Sequence, residues 1–384
     1  MSILPTNRGG TMKEKFEFRS VFNEKSVTKT ARKIKEVYPE FEEKAFIENV
    51  LDGFEILSYG DRNAKITDNL YHYLPKEFPT TVAILTASLG EEMQVEELEG
   101  YEGFYVMPLS TYVSRYGTKY YELSITALIE MTKRFTSEWA IRTFLELEEA
   151  KTLEHLKICA KSDNCHVRRL ASEGTRPRLP LASRLYSFMK DPTPVLEVLE
   201  CLKNEPTRLV QRSIANNLND IGKDNPDAVV DFLTKWKEED VKDVDWIIRH
   251  ATRSLVKEGH LGTLKLLGFD PSIAITKASL SIKTPAITLG ASLEFECDID
   301  FANDSREKVV IDYLLYFKKA NGELKPKVFK LSTKSISKNG TLSLTKKHPL
   351  KPATTRKHYP GEHAVQLQIN SKLVGEPQTF KLNI

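Results

Sequence analysis

The sequence predicts a mainly α protein in two parts, a helical-repeat solenoid followed by an all-β sandwich. Three observations carry this. Apolar residues recur with a helical period through the first 269 positions, one stretch of that region repeats itself, and beyond Gly268-Phe269-Asp270-Pro271 the pattern turns to strand-like alternation.

In the helical part, Tyr38 to Leu57 sets Phe41, Ala45, Ile47, Val50, Leu51 and Phe54 near a 3.6-residue period. Gly60, Pro75, Pro79, Gly103, Pro108 and Gly117 then punctuate helices of ordinary length. Another helix is predicted from Ser137 to Ala150, with Glu146, Glu148 and Glu149 outward. From about Leu153 three segments align: HVRRLASEGTRP at 166–177, VQRSIANNLNDIGKDNP at 210–226 and IIRHATRSLVKEGHLG at 247–262. Their small residues Ala171, Ala215 and Ala251 lie 44 and 36 positions apart. That brackets the ~40–47-residue period of HEAT and armadillo units, whose paired helices stack into a curved solenoid with a concave binding surface. The solenoid is expected over 12–269, after a loose, Gly-rich tail at 1–11 that precedes Met12.

In the β part, short alternating runs such as ASLEFECDIDF, VVIDYLLYFKK and HAVQLQI are separated by turn signals at Asn303-Asp304, Asn321-Gly322 and Asn339-Gly340. Six to eight short strands over 270–384 predict an antiparallel sandwich of immunoglobulin-like type. No Cys…Trp…Cys pattern is present, which excludes an antibody-type domain.

A chain of 384 residues is too long for one ordinary core, which agrees with two domains. With 40% hydrophobic and 28% charged residues it has the composition of a globular protein. No run reaches the ~20 apolar residues of a membrane helix and the start carries no secretory signal, so no membrane partner and a cytoplasmic location are expected. Cys159, Cys165, Cys201 and Cys297 form no C-x-x-C pair; although His155, Cys159, Cys165 and His166 lie close in sequence, their spacing fits no zinc pattern. No metal and no cofactor are expected. Nor is there a phosphate-cradling glycine loop, an H-E-x-x-H or a G-x-S-x-G. Two classes remain: a scaffold whose solenoid and sandwich bind proteins, or a nucleic-acid protein.

The net charge of +3 hides an asymmetry, because 270–384 holds 18 basic and 11 acidic residues. Within it, 318–357 has 12 basic residues and a single acid, Glu323. Such a tract suits phosphates, whose neutralisation releases counterions. Lysines on edge strands also guard a sheet against edge-to-edge aggregation, but that alone does not account for so lopsided a tract.

The stretch 133–184 contains FTSEWAIR and HVRRLASEGTRPRLPLA, followed further on by SIANNLNDIGKDNPD. In these pieces, and more weakly over roughly 12–265, the chain resembles the AlkC branch of bacterial alkylation-repair DNA glycosylases. Some members of that branch also carry a C-terminal immunoglobulin-like domain; the related AlkD branch lacks one. The resemblance implies a solenoid that cradles alkylated double-stranded DNA and hydrolyses the N-glycosidic bond of cationic methylated bases, 3-methyladenine and 3-methylcytosine, without extruding the base. Most glycosylases do flip their target. A cationic base is already a good leaving group, so the protein's remaining work is to stabilise positive charge on the sugar and to position water, tasks suited to carboxylates.

Carried over motif by motif, the resemblance assigns catalysis to Glu138 of FTSEWAIR, Glu173 of LASEGTRP and Asp220 of NNLNDIGKDNP. Glu173 precedes Gly174 near a helix C-terminus, a costly place for an anion, although pairing with Arg169 one turn earlier is a simpler account. Arg168, Arg169, Arg176, Arg178 and Arg184 form a basic run, and Arg212 and Arg249 recur at comparable points of the next repeats. Guanidinium forks suit phosphates flanking a lesion, so Arg168, Arg169, Arg176, Arg178, Arg212 and Arg249 are expected to bind DNA, together with Lys346 and Lys347 of the C-terminal tract. Trp139 is expected either to press on the DNA backbone or to fill the core. No lysine nucleophile, hence no lyase step, and no obligatory protein partner are expected.

Overall fold

The computed structural model describes residues 17–93, 102–352 and 357–384. The expected tail at 1–11, with Met12, lies outside the described residues, as does Arg356 of the basic tract. Among the described residues, 16 α-helices are followed by eight β-strands, and no helix is long and apolar enough to cross a membrane.

Two compact units emerge: residues 1–225 with 236–251, and residues 226–235 with 252–384. Among the described residues, the first has helices and no strands. Its helices Cys165–Gly174, Arg208–Ile221 and Val244–Ala251 pack side by side, and the aligned Ala171, Ala215 and Ala251 are buried between them, as stacked repeats require. Prolines fall where their missing N–H costs nothing: Pro79 and Pro108 open the helices Phe78–Ala87 and Met107–Tyr116. The periodic segment from Tyr38 to Leu57 holds the helix Glu43–Leu51 and a short 3-10 turn, separated where Gly53 takes a left-handed φ of 63°. The helix expected over 137–150 is also divided. Residues 137–140 form a turn, one helix runs Ile141–Leu147, and another begins at Glu149.

The second unit contains β1 (Ala274–Ile282), β2 (Ala286–Thr288), β3 (Ser292–Ala302), β4 (Glu307–Lys318), β5 (Leu324–Ile336), β6 (Thr341–Pro349), β7 (Gly361–Ile369) and β8 (Lys372–Asn383). They form a three-stranded sheet β1-β3-β6 and a five-stranded sheet β2-β8-β7-β4-β5. All pairings are antiparallel except β2 with β8. Between the sheets lies an apolar core that includes Leu293, Phe295, Tyr313, Leu315, Val365 and Phe380.

The change of texture at Asp270 is not the edge of this unit. Helices Arg253–Glu258 and Leu261–Leu266 belong with the strands. Ser371 Oγ donates to the carbonyl of Val256 at 2.9 Å, and Asn370 Nδ2 to that of Asp270 at 2.7 Å. Composition marks where strands begin; side-chain hydrogen bonds tie the preceding helices to them.

Candidate active site

The three carboxylates expected from the sequence come from successive parts of the solenoid. Glu138 sits in the turn that starts the 141–147 helix, where Ala140 and Ile141 donate to the carbonyl of Ser137. Glu173 is the penultimate residue of the 165–174 helix, and Asp220 holds the same place in the 208–221 helix. All three are buried, at 2%, 3% and 3% exposure. The first two segments approach closely at Gly174, where an added Cβ would lie 2.7 Å from Ile141 Cγ2.

Two arginines knit the acids into a row. Arg169 donates to both oxygens of Glu138, at 3.1 and 3.4 Å, and to Thr136 Oγ1 at 3.1 Å. Its other neighbour is Glu173, at 3.8 Å. Arg176 donates to Glu173 at 3.0 Å and to Asp220 Oδ2 through two nitrogens, at 2.9 and 2.8 Å. Lys223 closes the row on Asp220 Oδ1 at 3.0 Å. Glu173 and Asp220 both stand at helix C-termini, where the backbone dipole repels an anion, and Arg176 between them offsets that cost.

The environments of the acids differ. Burial pushes the Glu138 carboxyl above its ordinary range, only partly opposed by Arg169 and reinforced by Glu173. Burial acts on Glu173 too, but Arg169 and Arg176 together prevail and hold it below that range. Burial works against charge on Arg169 and Arg176 as well, yet the carboxylates outweigh it and keep both cationic. Three acids thus alternate with two buried arginines, and Lys223 joins them at the more exposed end.

Other buried polar atoms border the row. Ser137 Oγ, Ser172 Oγ and Asn219 Oδ1, each on the residue before one of the acids, have no hydrogen-bond partner among the described residues.

Several expected DNA-binding residues are instead committed within the protein. Arg169 and Arg176 are buried in the row. Arg168 forks onto Glu205 at 2.7 and 2.9 Å, and Arg178 onto Asp224 at 2.9 and 2.7 Å. The run Arg168–Arg178 is therefore no free basic track: apart from Glu173, its acidic partners lie 31 to 46 positions away and so do not show in the local sequence. Arg249 and Arg184 are exposed and Arg212 half-buried. Trp139 is half-buried, its indole N–H on the carbonyl of Pro180 at 3.2 Å. Lys346 and Lys347 face opposite ways, as neighbours on a strand must. Lys346 lies over the Tyr313 ring at 6.0 Å, and exposed Lys347 pairs with Glu294 at 2.8 Å.

Two residues near the row were not among the expected site residues, although Arg142 closes the motif FTSEWAIR. Arg142 is buried and donates to the carbonyls of Gly174 at 3.2 Å, Arg176 at 2.7 Å and Ser183; burial pushes it down to about 10. Tyr59 is close enough to Glu138 for that charge, after burial, to push its phenol up. Cys159 is buried while Cys165 is only half-buried, and among the described residues no three His, Cys, Asp or Glu gather as a metal site.

Comparison with known proteins accords with this geometry. Residues 121–255 match the model of the DNA alkylation repair enzymes, and 276–384 match that of the C-terminal Ig-like domain of uncharacterised protein YhaZ. The chain is 35% identical over 358 residues to uncharacterized protein YhaZ of Bacillus subtilis, covering 93% of this chain and 97% of that one. It is also similar to the structure of Pseudomonas fluorescens alkylpurine DNA glycosylase AlkC bound to DNA containing an abasic site analog. There the identity is 33% and the TM-score 0.86, with 95% of this chain and 99% of the other covered. The chain belongs to the DNA alkylation repair enzymes, in their AlkC-like branch. Within this alkylation-repair architecture Glu138, Glu173 and Asp220 all fall in the matched 121–255 segment, and all eight strands but the start of β1 fall in the matched Ig-like domain.

Proposed function

We propose that the chain is a monofunctional DNA glycosylase that hydrolyses the N-glycosidic bond of cationic alkylated bases, of the 3-methyladenine and 3-methylcytosine type, in duplex DNA without flipping the base. The buried carboxylate row of Glu138, Glu173 and Asp220, bridged by Arg169 and Arg176, is the observation that carries this reading.

Departure of a cationic base leaves an oxocarbenium-like sugar, and fixed negative charge in a water-poor site favours it. Glu173, held ionised by two arginines, suits that electrostatic role. Glu138, whose proton affinity is raised by burial, suits the role of accepting a proton from the attacking water. Arg169 and Arg176 fix the carboxylates in place before substrate arrives, and Arg142 fixes the backbone at Gly174 and Arg176, so little reorganisation is needed during the reaction. Lys223 is tied to Asp220, which accords with hydrolysis ending at an abasic site and no strand scission. The sandwich's exposed Lys325, Lys327, Lys330 and Lys334 add phosphate contacts to that function.

Chromatographic detection of free 3-methyladenine and 3-methylcytosine, released from methylated DNA in the presence of a chelator, tests the reading. Release without strand cleavage supports it. Failure to release any base favours a scaffold that binds without chemistry.

A further inference from the structure

Leu181 combines two costly properties. Its backbone lies in the left-handed region, at φ 62°, which a branched side chain rarely occupies, and its side chain is 70% exposed. Its neighbours explain why it cannot relax. The 175–185 loop is tied down along its length: Leu179 is buried, Ala182 N–H donates to Leu179 O and Leu185 N–H to Pro177 O. Arg142 holds the carbonyls of Arg176 and Ser183 on either side, and Trp139 holds that of Pro180. The anchors are the neighbours of the carboxylate row, for Trp139 follows Glu138 and Arg176 itself bonds Glu173 and Asp220. The loop therefore sets an apolar tip at a fixed distance from the acids, and Arg184, three residues on, is exposed beside it in the same loop.

We propose that Leu181 is a wedge that inserts at the base step next to the lesion in duplex DNA, separating the stacked pair so that the sugar of the damaged nucleotide reaches the carboxylates. Apolar side chains that part a base step must not retreat when pushed, and a strained, anchored leucine meets that need. The tip is a positioning residue for a reaction that also needs the proposed glycosylase activity, on which this inference rests.

The test uses the full chain and a duplex with 2-aminopurine beside a stable abasic-site analogue. The parent raises the 2-aminopurine fluorescence on binding, as the step unstacks. Leu181→Gly loses most of that rise and excises 3-methyladenine about tenfold more slowly, while its Tm stays level or increases because glycine accepts this φ freely. Leu181→Met retains both signals. A glycine variant with the parent's fluorescence rise and excision rate overturns the wedge, and so does one whose Tm falls, since the side chain would then be packing rather than inserting. A parent chain that releases no base from methylated DNA overturns the glycosylase reading itself, and the wedge with it.

Discussion

Arg169 grasps both oxygens of Glu138 across 31 positions of sequence, burying a charge pair where an ordinary solenoid buries leucines. Desolvating such a pair yields little net stability, whereas removing one partner strands the other at a cost of about 3–5 kcal/mol. Its value lies in holding a carboxylate at one place in a site with little water.

Replacing Glu173 or Asp220 by the matching amide removes charge while keeping shape. Single-turnover excision of 3-methyladenine is expected to fall about 10²–10³-fold, the effect of losing one electrostatic interaction with a transition state. Arg176 keeps one carboxylate in either variant, so the fold survives and binding to an abasic duplex stays near the parent's. Excision within a factor of two of the parent in both variants would remove these residues from the mechanism.

The pH profile follows from the direction of the Glu138 shift. Its carboxyl is raised, so its proton persists above the ordinary carboxylate range and leaves as pH rises; excision should therefore climb with pH through that titration. Glu173 is lowered and ionised throughout the same window. Stability moves the other way for Glu138, whose ionisation in a buried site costs folding free energy as pH rises. A Glu138→Gln variant should show a flat, low profile over the range where the parent climbs. A parent profile with no acidic limb would refute the assignment of the proton acceptor.

Selectivity should favour bases that already carry positive charge. Glu173 is ionised, the arginines are bound to carboxylates, and Glu138 is assigned to take a proton from water rather than give one to the base. Hypoxanthine should be excised far more slowly than 3-methyladenine from otherwise identical duplexes. Equal rates would show that a proton donor does serve the leaving base.

The basic face of the second unit should govern salt dependence. Lys325, Lys327, Lys330 and Lys334 on β5 are exposed, and replacing any of them with Ala should flatten the slope of log affinity against log salt by about 0.9 for each phosphate no longer neutralised. Lys346→Ala should change stability more than the slope, because its ammonium rests on Tyr313. Unchanged slopes in the β5 variants would make this tract a solubility device.

What the sequence disclosed and what it concealed divide on physical lines. The aligned alanines were legible because small residues mark where helices touch, and the carboxylates because their flanking motifs resemble a known branch. The arginine partnerships were hidden, since Arg168 meets Glu205 and Arg178 meets Asp224 only through stacking of distant repeats. The 137–150 helix misled because its apolar spacing continues across Glu148, where the backbone leaves the helical region at φ −138° and ψ 61°. β8 was obscured by Gly375 and Pro377, which weaken a strand's signature, and by a turn at Asn370-Ser371 that reaches positive φ without any glycine.

The hydrogen bonds from Asn370 and Ser371 to Asp270 and Val256 bear on inheritance. A sandwich that began at residue 270 would be a cassette, free to be gained or shed by recombination at the linker. Here its last hairpin is sewn to a helix before it, so a fusion joined at 269 would sever the Ser371–Val256 bond. A chimera that borrows this sandwich should take residues from 226 onward, since 226–235 belong to the same unit as 252–384.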